Sequence, residues 1–125
     1  AAGSTNQNTY SGVTNVTGYG NNGGNGSTYS GSPQGSGSGG GAGGAGSTGA
    51  DGQVAGGVGR ASTFRNGTSV TYARGGNGNN GQVNSADEAD NTGNGAHGTS
   101  TTSGSNNTNS GDGGSGIVVV RYAVS

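Results

Sequence analysis

The sequence predicts a mostly β or irregular fold without α-helix, in which glycine-rich polyproline-II-like segments pack beside a few β-strands. Three observations lead there. Glycine falls at Gly37, Gly40, Gly43, Gly46, Gly49 and Gly52, a strict period of three. Helices repeat about every 3.6 residues and strands every two, whereas the polyproline II helix repeats every three. Next, only 23% of the 125 residues are hydrophobic, too few for a large side-chain core. Finally, 34 glycines accompany a charged fraction of 7% and a net charge of −1, so the chain lacks the self-repulsion typical of disorder. With little to bury, backbone donors and acceptors must carry the fold by pairing with one another. Oligomerisation is the other remedy for a small core, and a homo-oligomer, trimer or filament, is expected.

A single domain is read over residues 1–125, with a leading segment at 1–19. Thr9 to Thr17, with Tyr10, Val13 and Val16, reads as a short edge strand. The glycine region spans 20–59. Gly20, Gly23 and Gly26 share the period of three, and Tyr29 and Pro33 mark a turn. The run from Gly37 to Gly52 reads as one rod, which at about 3.1 Å per residue would span roughly 50 Å. The phase breaks at Gln53–Ala55, where that rod should end.

Residues 60–74 read as a hairpin. Asn66-Gly67 favours a two-residue type I′ turn, and Thr, Val, Phe and Tyr on its flanks favour strands. That loop would set Arg65 opposite Thr68, Thr63 opposite Val70 and Ala61 opposite Tyr72. Val70 and Tyr72 would share one face, with Phe64 on the other. Residues 75–116 are glycine and polar loops, with Gly75, Gly78 and Gly81 in phase. The run Ile117–Val124 within 117–125 is the strongly apolar stretch. It reads as a strand with Val118, Val120, Tyr122 and Val124 on one face and both faces covered.

Several chemistries are excluded. Without cysteine there is no disulfide or thiolate metal site. Four arginines, no lysine and a net charge of −1 do not make a nucleic-acid patch or a P-loop. No apolar run is long enough for membrane insertion as a helix. The start at Ala1, without methionine, suggests a processed product or part of something longer. Gly39-x-Gly41-x-x-Gly44 matches a dinucleotide fingerprint but has no strand before it or helix after it. Gly23 to Thr28 has Thr28 where a calcium roll needs an aspartate. The acidic cluster Asp87, Glu88 and Asp90 reads as a solvated loop. His97 lies in a polar tract unsuited to a buried catalytic triad. Sequons at Asn15, Asn25, Asn66 and Asn106 are expected by chance in such a composition. No enzyme activity, cofactor or metal is expected.

Gly113-Gly-Ser-Gly-Ile-Val-Val-Val-Arg-Tyr122 resembles the C-terminal ending of glycine-rich domains in bacteriophage tail fibres and related virion proteins. Thr68-Ser-Val-Thr-Tyr-Ala73 before Gly75-Gly76, and Gly39 to Gly46, are similar as well. The sequence departs from that family in being richer in Asn, Ser and Thr and in lacking the expected upstream strands. The resemblance implies a virion component at the tail tip, outside the host cell. Its partners would be other tail-fibre proteins and a bacterial surface glycan or outer-membrane protein. Some such adhesins stack glycine helices into a sandwich and display loops at its end. The receptor contacts expected on this reading are Tyr19, Asn22, Asn25, Tyr29, Asp87, Asp90 and His97, in the loops 21–29 and 85–99. An assembly strand is expected at Ile117, Val118, Val119, Val120 and Tyr122. The alternatives are a structural subunit of an extracellular filament or virion decoration, and an ice-binding protein. The breaks in glycine phase weigh against the flat face that ice binding needs.

Overall fold

The computed structural model describes residues 17–27, 35–50, 52–79, 85–98 and 109–124. The expected edge strand at Thr9–Thr17 (all but its last residue), Tyr29, Pro33 and Gly81 lie outside the described residues. Within them there is no helix. The regular structure is one two-stranded antiparallel sheet, β1 (Arg60–Ser62) and β2 (Val70–Tyr72). The remainder is extended rods joined by backbone hydrogen bonds. In chain order they are 17–27, 35–41, 43–50, 54–59, 73–79, 85–90, 93–98 and 109–116, here the first to the eighth.

The period of three appears directly in these hydrogen bonds. Gly24 and Ser27 N–H donate to Ser38 and Gly35, tying the first rod antiparallel to the second. Gly46 and Gly49 donate to Asn22 and Asn25, so the third rod runs parallel to the first. Gly39 and Ala42 donate to Gly76 and Ala73, and Gly95 and Gly98 donate to Arg74 and Asn77. Ser85 and Glu88 donate to Asn109 and Asp112, joining the sixth rod to the eighth. In each pair the donors are three residues apart. A threefold helix returns every third N–H to the same direction, so each rod can bond several neighbours at once.

Such contact requires the absence of Cβ atoms. A Cβ at Gly24 would overlap the Ser47 carbonyl, and one at Gly75 would overlap the Gly39 carbonyl. No hydrophobic side chain is buried among the described residues. The side chains that are buried belong to Ser38 and Asn79, at 3% and 5% exposure. The Ser38 hydroxyl accepts from Ser47 N–H (2.7 Å) and donates to the Ala55 carbonyl (2.7 Å). Ser36 Oγ accepts from Asn79 N–H (2.7 Å) and donates to its carbonyl (2.8 Å). The Ser38 hydroxyl thus ties the second rod to the third, beside the direct Ser38 N–H to Ser47 carbonyl bond (3.1 Å), and to residue 55 of the fourth, while Ser36 ties it to the fifth.

The glycine run does not form one rod. It bends at residues 42–44, where Gly41 N–H donates to the Gly44 carbonyl (2.9 Å), and returns antiparallel to itself. The folded-back arms share hydrogen bonds that a lone rod would leave to water. The third rod ends near the phase break: Gly52 has a φ of +96°, and Val54 already pairs with Gly78 in the next antiparallel pair.

The hairpin forms in a different register from the expected one. Arg60 pairs with Tyr72, Ala61 with Thr71 and Ser62 with Val70, leaving residues 63–69 as the tip. Gly67 takes a φ of +83° but Asn66 stays at negative φ, so a type I′ turn is not made. Gly67 N–H instead donates to the Thr63 carbonyl, and Asn66 Oδ1 accepts from Thr68 N–H (3.1 Å). The register is set by the rods below, since Gly75 donates to Gly57 and Val54 and Gly78 exchange bonds in the same frame. Val70 and Tyr72 do share the half-buried face. Ala73, with a φ of +54°, then turns the chain from β2 into the fifth rod.

Residues 117–124 depart most from expectation. They form no strand and make no backbone hydrogen bond to the described residues. Val118, Val120, Tyr122 and Val124 are 89%, 77%, 82% and 84% exposed, so the run is not covered on both faces. Ile117 and Val119 are half-buried, and the Arg121 guanidinium lies 5.4 Å from the centre of the Phe64 ring. The alternation is the expected one, with a single face engaged.

The packing makes an asymmetric mutational prediction. Gly75→Ala forces its methyl into the second rod and should cost about 1–3 kcal/mol, as overpacking does. Gly116 has open space around its Cβ position, and Gly116→Ala should stay within about 0.5 kcal/mol of the parent. Urea unfolding of the two variants measures this, and equal effects would contradict the rod packing.

Candidate functional site

The expected contact residues fall on two separated sets of rods. Tyr19, Asn22 and Asn25 lie on the first rod, Asp87 and Asp90 on the sixth and His97 on the seventh. The Asn22 and Asn25 carbonyls accept from Gly46 and Gly49, while both residues remain exposed. Tyr19 is 42% exposed, with the Arg60 guanidinium 3.9 Å from its ring centre. That cation–π contact fixes the ring at the edge of the bundle.

The acidic set joins rods to one another. Asp87 Oδ1 accepts from Asp112 N–H (2.8 Å), and Asp90 Oδ1 accepts from the Ser115 hydroxyl (3.2 Å). Glu88 is the most engaged: one carboxylate oxygen accepts from Asn94 Nδ2 (2.9 Å), the other lies 2.8 Å from His97 Nε2. His97 Nδ1 accepts from Asn77 N–H (2.9 Å). Its ring therefore bridges the fifth, sixth and seventh rods. Asn77 also accepts from Gly56 N–H through Oδ1 (2.8 Å) and from Gly98 N–H through its carbonyl (2.9 Å). Among the described residues no group of three or more His, Asp or Glu side chains is placed to hold a metal ion.

Two concavities accompany these elements. An open groove of about 580 Å³ lies over the second and fifth rods, bordered by the first and the seventh. Tyr19, Asn21, Gly37, Gly40 and Arg74 line it. Of these, the sequence had pointed to Tyr19 and, as the first residue of the loop 21–29, to Asn21. Arg74 carries no signal in a chain this poor in charge patterning, and the groove exists only through rod packing. A smaller cavity of about 350 Å³ lies between the hairpin tip and the C-terminal run, walled by Phe64, Tyr72, Ile117 and Val119. The Tyr72 hydroxyl is buried without a hydrogen-bond partner among the described residues.

No family model, curated protein or solved structure matches the chain.

The His97 geometry fixes a tautomer. Because Nδ1 accepts from a backbone N–H, the neutral ring must carry its proton on Nε2, facing Glu88. Nitrogen NMR should show that tautomer, and His97→Leu should cost about 1–3 kcal/mol by leaving the Asn77 N–H unpaired. A ring protonated on Nδ1 in the neutral state would contradict this assignment.

Proposed function

We propose that this chain is a receptor-binding tip domain of a bacteriophage tail fibre or related adhesin, without enzymatic activity. The observation that carries the reading is a bundle of backbone-bonded glycine rods with no buried hydrophobic side chain among the described residues. This is the kind of scaffold implied by the resemblance at Gly113–Tyr122. The reading also follows from the physics of the bundle. Its rods are held by main-chain groups, so exposed side chains at rod ends and turns can change without dismantling a core. Such a protein can present varied surfaces to varied host receptors, whether a glycan or an outer-membrane protein. The purified protein should adsorb to host bacteria and compete with phage adsorption. Neither effect on any susceptible strain would overturn the reading.

A structural role, as a subunit of a filament or virion decoration, is favoured by one separate observation. The C-terminal run presents Val118, Val120, Tyr122 and Val124 to solvent beside a backbone without partners among the described residues. Such an edge is a template for pairing with another chain. If it is an assembly strand, the full chain sediments as an oligomer and removal of residues 117–124 yields monomers. A full chain that is monomeric at high concentration contradicts the assembly role and leaves the receptor role intact.

A further inference from the structure

We infer that the groove over the second and fifth rods takes an extended glycine-rich segment of another protein as an additional rod of the bundle. The inference goes beyond the receptor-binding reading and does not depend on it.

The bundle leaves one set of backbone groups unused. Along the second rod, Gly39 and Ala42 N–H donate to the fifth rod, and Ser38 N–H donates to the third. The carbonyls of Gly35 and Ser38 accept from the first rod, that of Gly41 from the Asn21 side-chain amide and that of Gly39 from the fourth rod. Gly37 and Gly40 take no part in this. Both line the groove, and neither the N–H nor the carbonyl of either has a partner among the described residues. At three residues' rise they lie about 9 Å apart.

A buried donor opens on the same groove. Gly76 of the fifth rod is buried and lines it, yet its N–H has no partner among the described residues. A Cβ built on Gly39 would lie 3.2 Å from Gly76 N, and one built on Gly95 would lie 3.0 Å from it. The nitrogen therefore sits between the second and seventh rods, at the floor of the groove. A buried backbone N–H without a partner is uncommon and costs free energy. On the seventh rod, Ala96 adds an unpartnered N–H and carbonyl at the exposed rim.

These groups select among occupants. An α-helix spends its own N–H and carbonyl groups internally and is about 10–12 Å wide with side chains. A β-strand returns its bonding groups to one side every two residues, about 6.7 Å, and falls out of step with Gly37 and Gly40. A threefold rod returns them every three residues, about 9 Å, in step with both. Such a rod can donate to the Gly37 and Gly40 carbonyls and accept from Gly76 N–H. These are the bonds that already join the eight rods, and the addition parallels a strand extending a sheet edge. Toward the walls of the groove a Cβ would meet carbonyls, as it would at Gly24 and Gly75. The occupant therefore carries side chains on its outer face alone. Residues 36–42 of the second rod line the groove over roughly 20 Å, which suits about six residues of a Gly-Gly-x repeat.

The test is an NMR titration of the full chain with a synthetic peptide of four Gly-Gly-Asn repeats. One control is a peptide of the same composition repeating Gly-Gly-Gly-Gly-Asn-Asn, which sets side chains on two faces of a threefold rod. The other is maltohexaose, a neutral sugar. Ordering a flexible glycine segment opposes binding, so a Kd on the order of 1 mM is expected. The expected result is saturable shifts of the Gly37, Gly40 and Gly76 amides, with the rearranged peptide weaker by about tenfold or more. Ala96→Trp, at an exposed position on the rim, should weaken binding by about tenfold while the signals of β1 and β2 stay in place. The two peptides are compared on the parent chain, so their result stands whether or not the variant folds. Absence of peptide binding, equal binding of the rearranged peptide, or binding of maltohexaose at the same amides overturns the proposal. Concentration-dependent shifts of Gly37 and Gly40 without peptide also overturn it, by assigning the groove to a second copy of this chain.

Discussion

The whole structure depends on backbone hydrogen bonds between rods that touch without side chains between them. An N–H···O bond reaches from one rod to the next only if both main chains come within a few ångströms. Glycine alone permits this wherever a Cβ would meet a carbonyl, as at Gly24 against Ser47 and Gly75 against Gly39. The entropy lost in fixing so many glycines is large. It is offset by a dense set of bonds sheltered from water and directed to several neighbours. No hydrophobic residue needs to be buried, and among the described residues none is.

Side chains enter this scheme where glycine spacing leaves a gap between rods. In the first to fifth rods the bridging is done by the hydroxyls of Ser36 and Ser38 and the amides of Asn21 and Asn77. From residue 85 onward glycines are sparser, and larger polar groups take over. Asp87, Glu88, Asn94 and His97 span the distances that bare backbones do not close. The acidic cluster is therefore a structural device in this half of the bundle. Its carboxylates accept from backbone N–H, amide, hydroxyl and imidazole groups.

Much of this was legible in the sequence. The glycine phase at Gly37–Gly52 and Gly75–Gly78 gives the threefold rods, and the scarcity of apolar residues gives the missing core. The alternation in Val118–Val124 gives which residues share a face, though not that this face is exposed. The rest depended on contacts distant in sequence. A period of three is unchanged when the chain folds back on itself, so the bend at residues 42–44 left no mark on the glycine spacing. Asn66-Gly67 is a sound local turn signal, but the register came from Val54–Gly78 and Gly57–Gly75, below the hairpin. His97 was read from its polar surroundings as a surface group. Its ring nitrogens are committed because the fifth and sixth rods pass on either side of it.

The same lattice explains why a surface groove should be lined by backbone groups without partners. A threefold rod sends its N–H groups along three directions and its carbonyls along others. For the second rod, the carbonyls of Gly35 and Ser38 are taken by the first rod and that of Gly39 by the fourth. Two donor directions are taken by the third and fifth rods. A rod at the border of the bundle, with one neighbour position unfilled, leaves one residue in three without backbone partners. Along the second rod the residues left over are Gly37 and Gly40, whose N–H and carbonyl groups both lack partners among the described residues, so the open position offers donors and acceptors alike. Tyr19 stands at its rim, held by Arg60, while the Arg74 side chain turns away onto Gly59 of the fourth rod. Substitution at Tyr19 could change the rim of the groove while the backbone beneath stayed the same, because no buried hydrophobic packing depends on it.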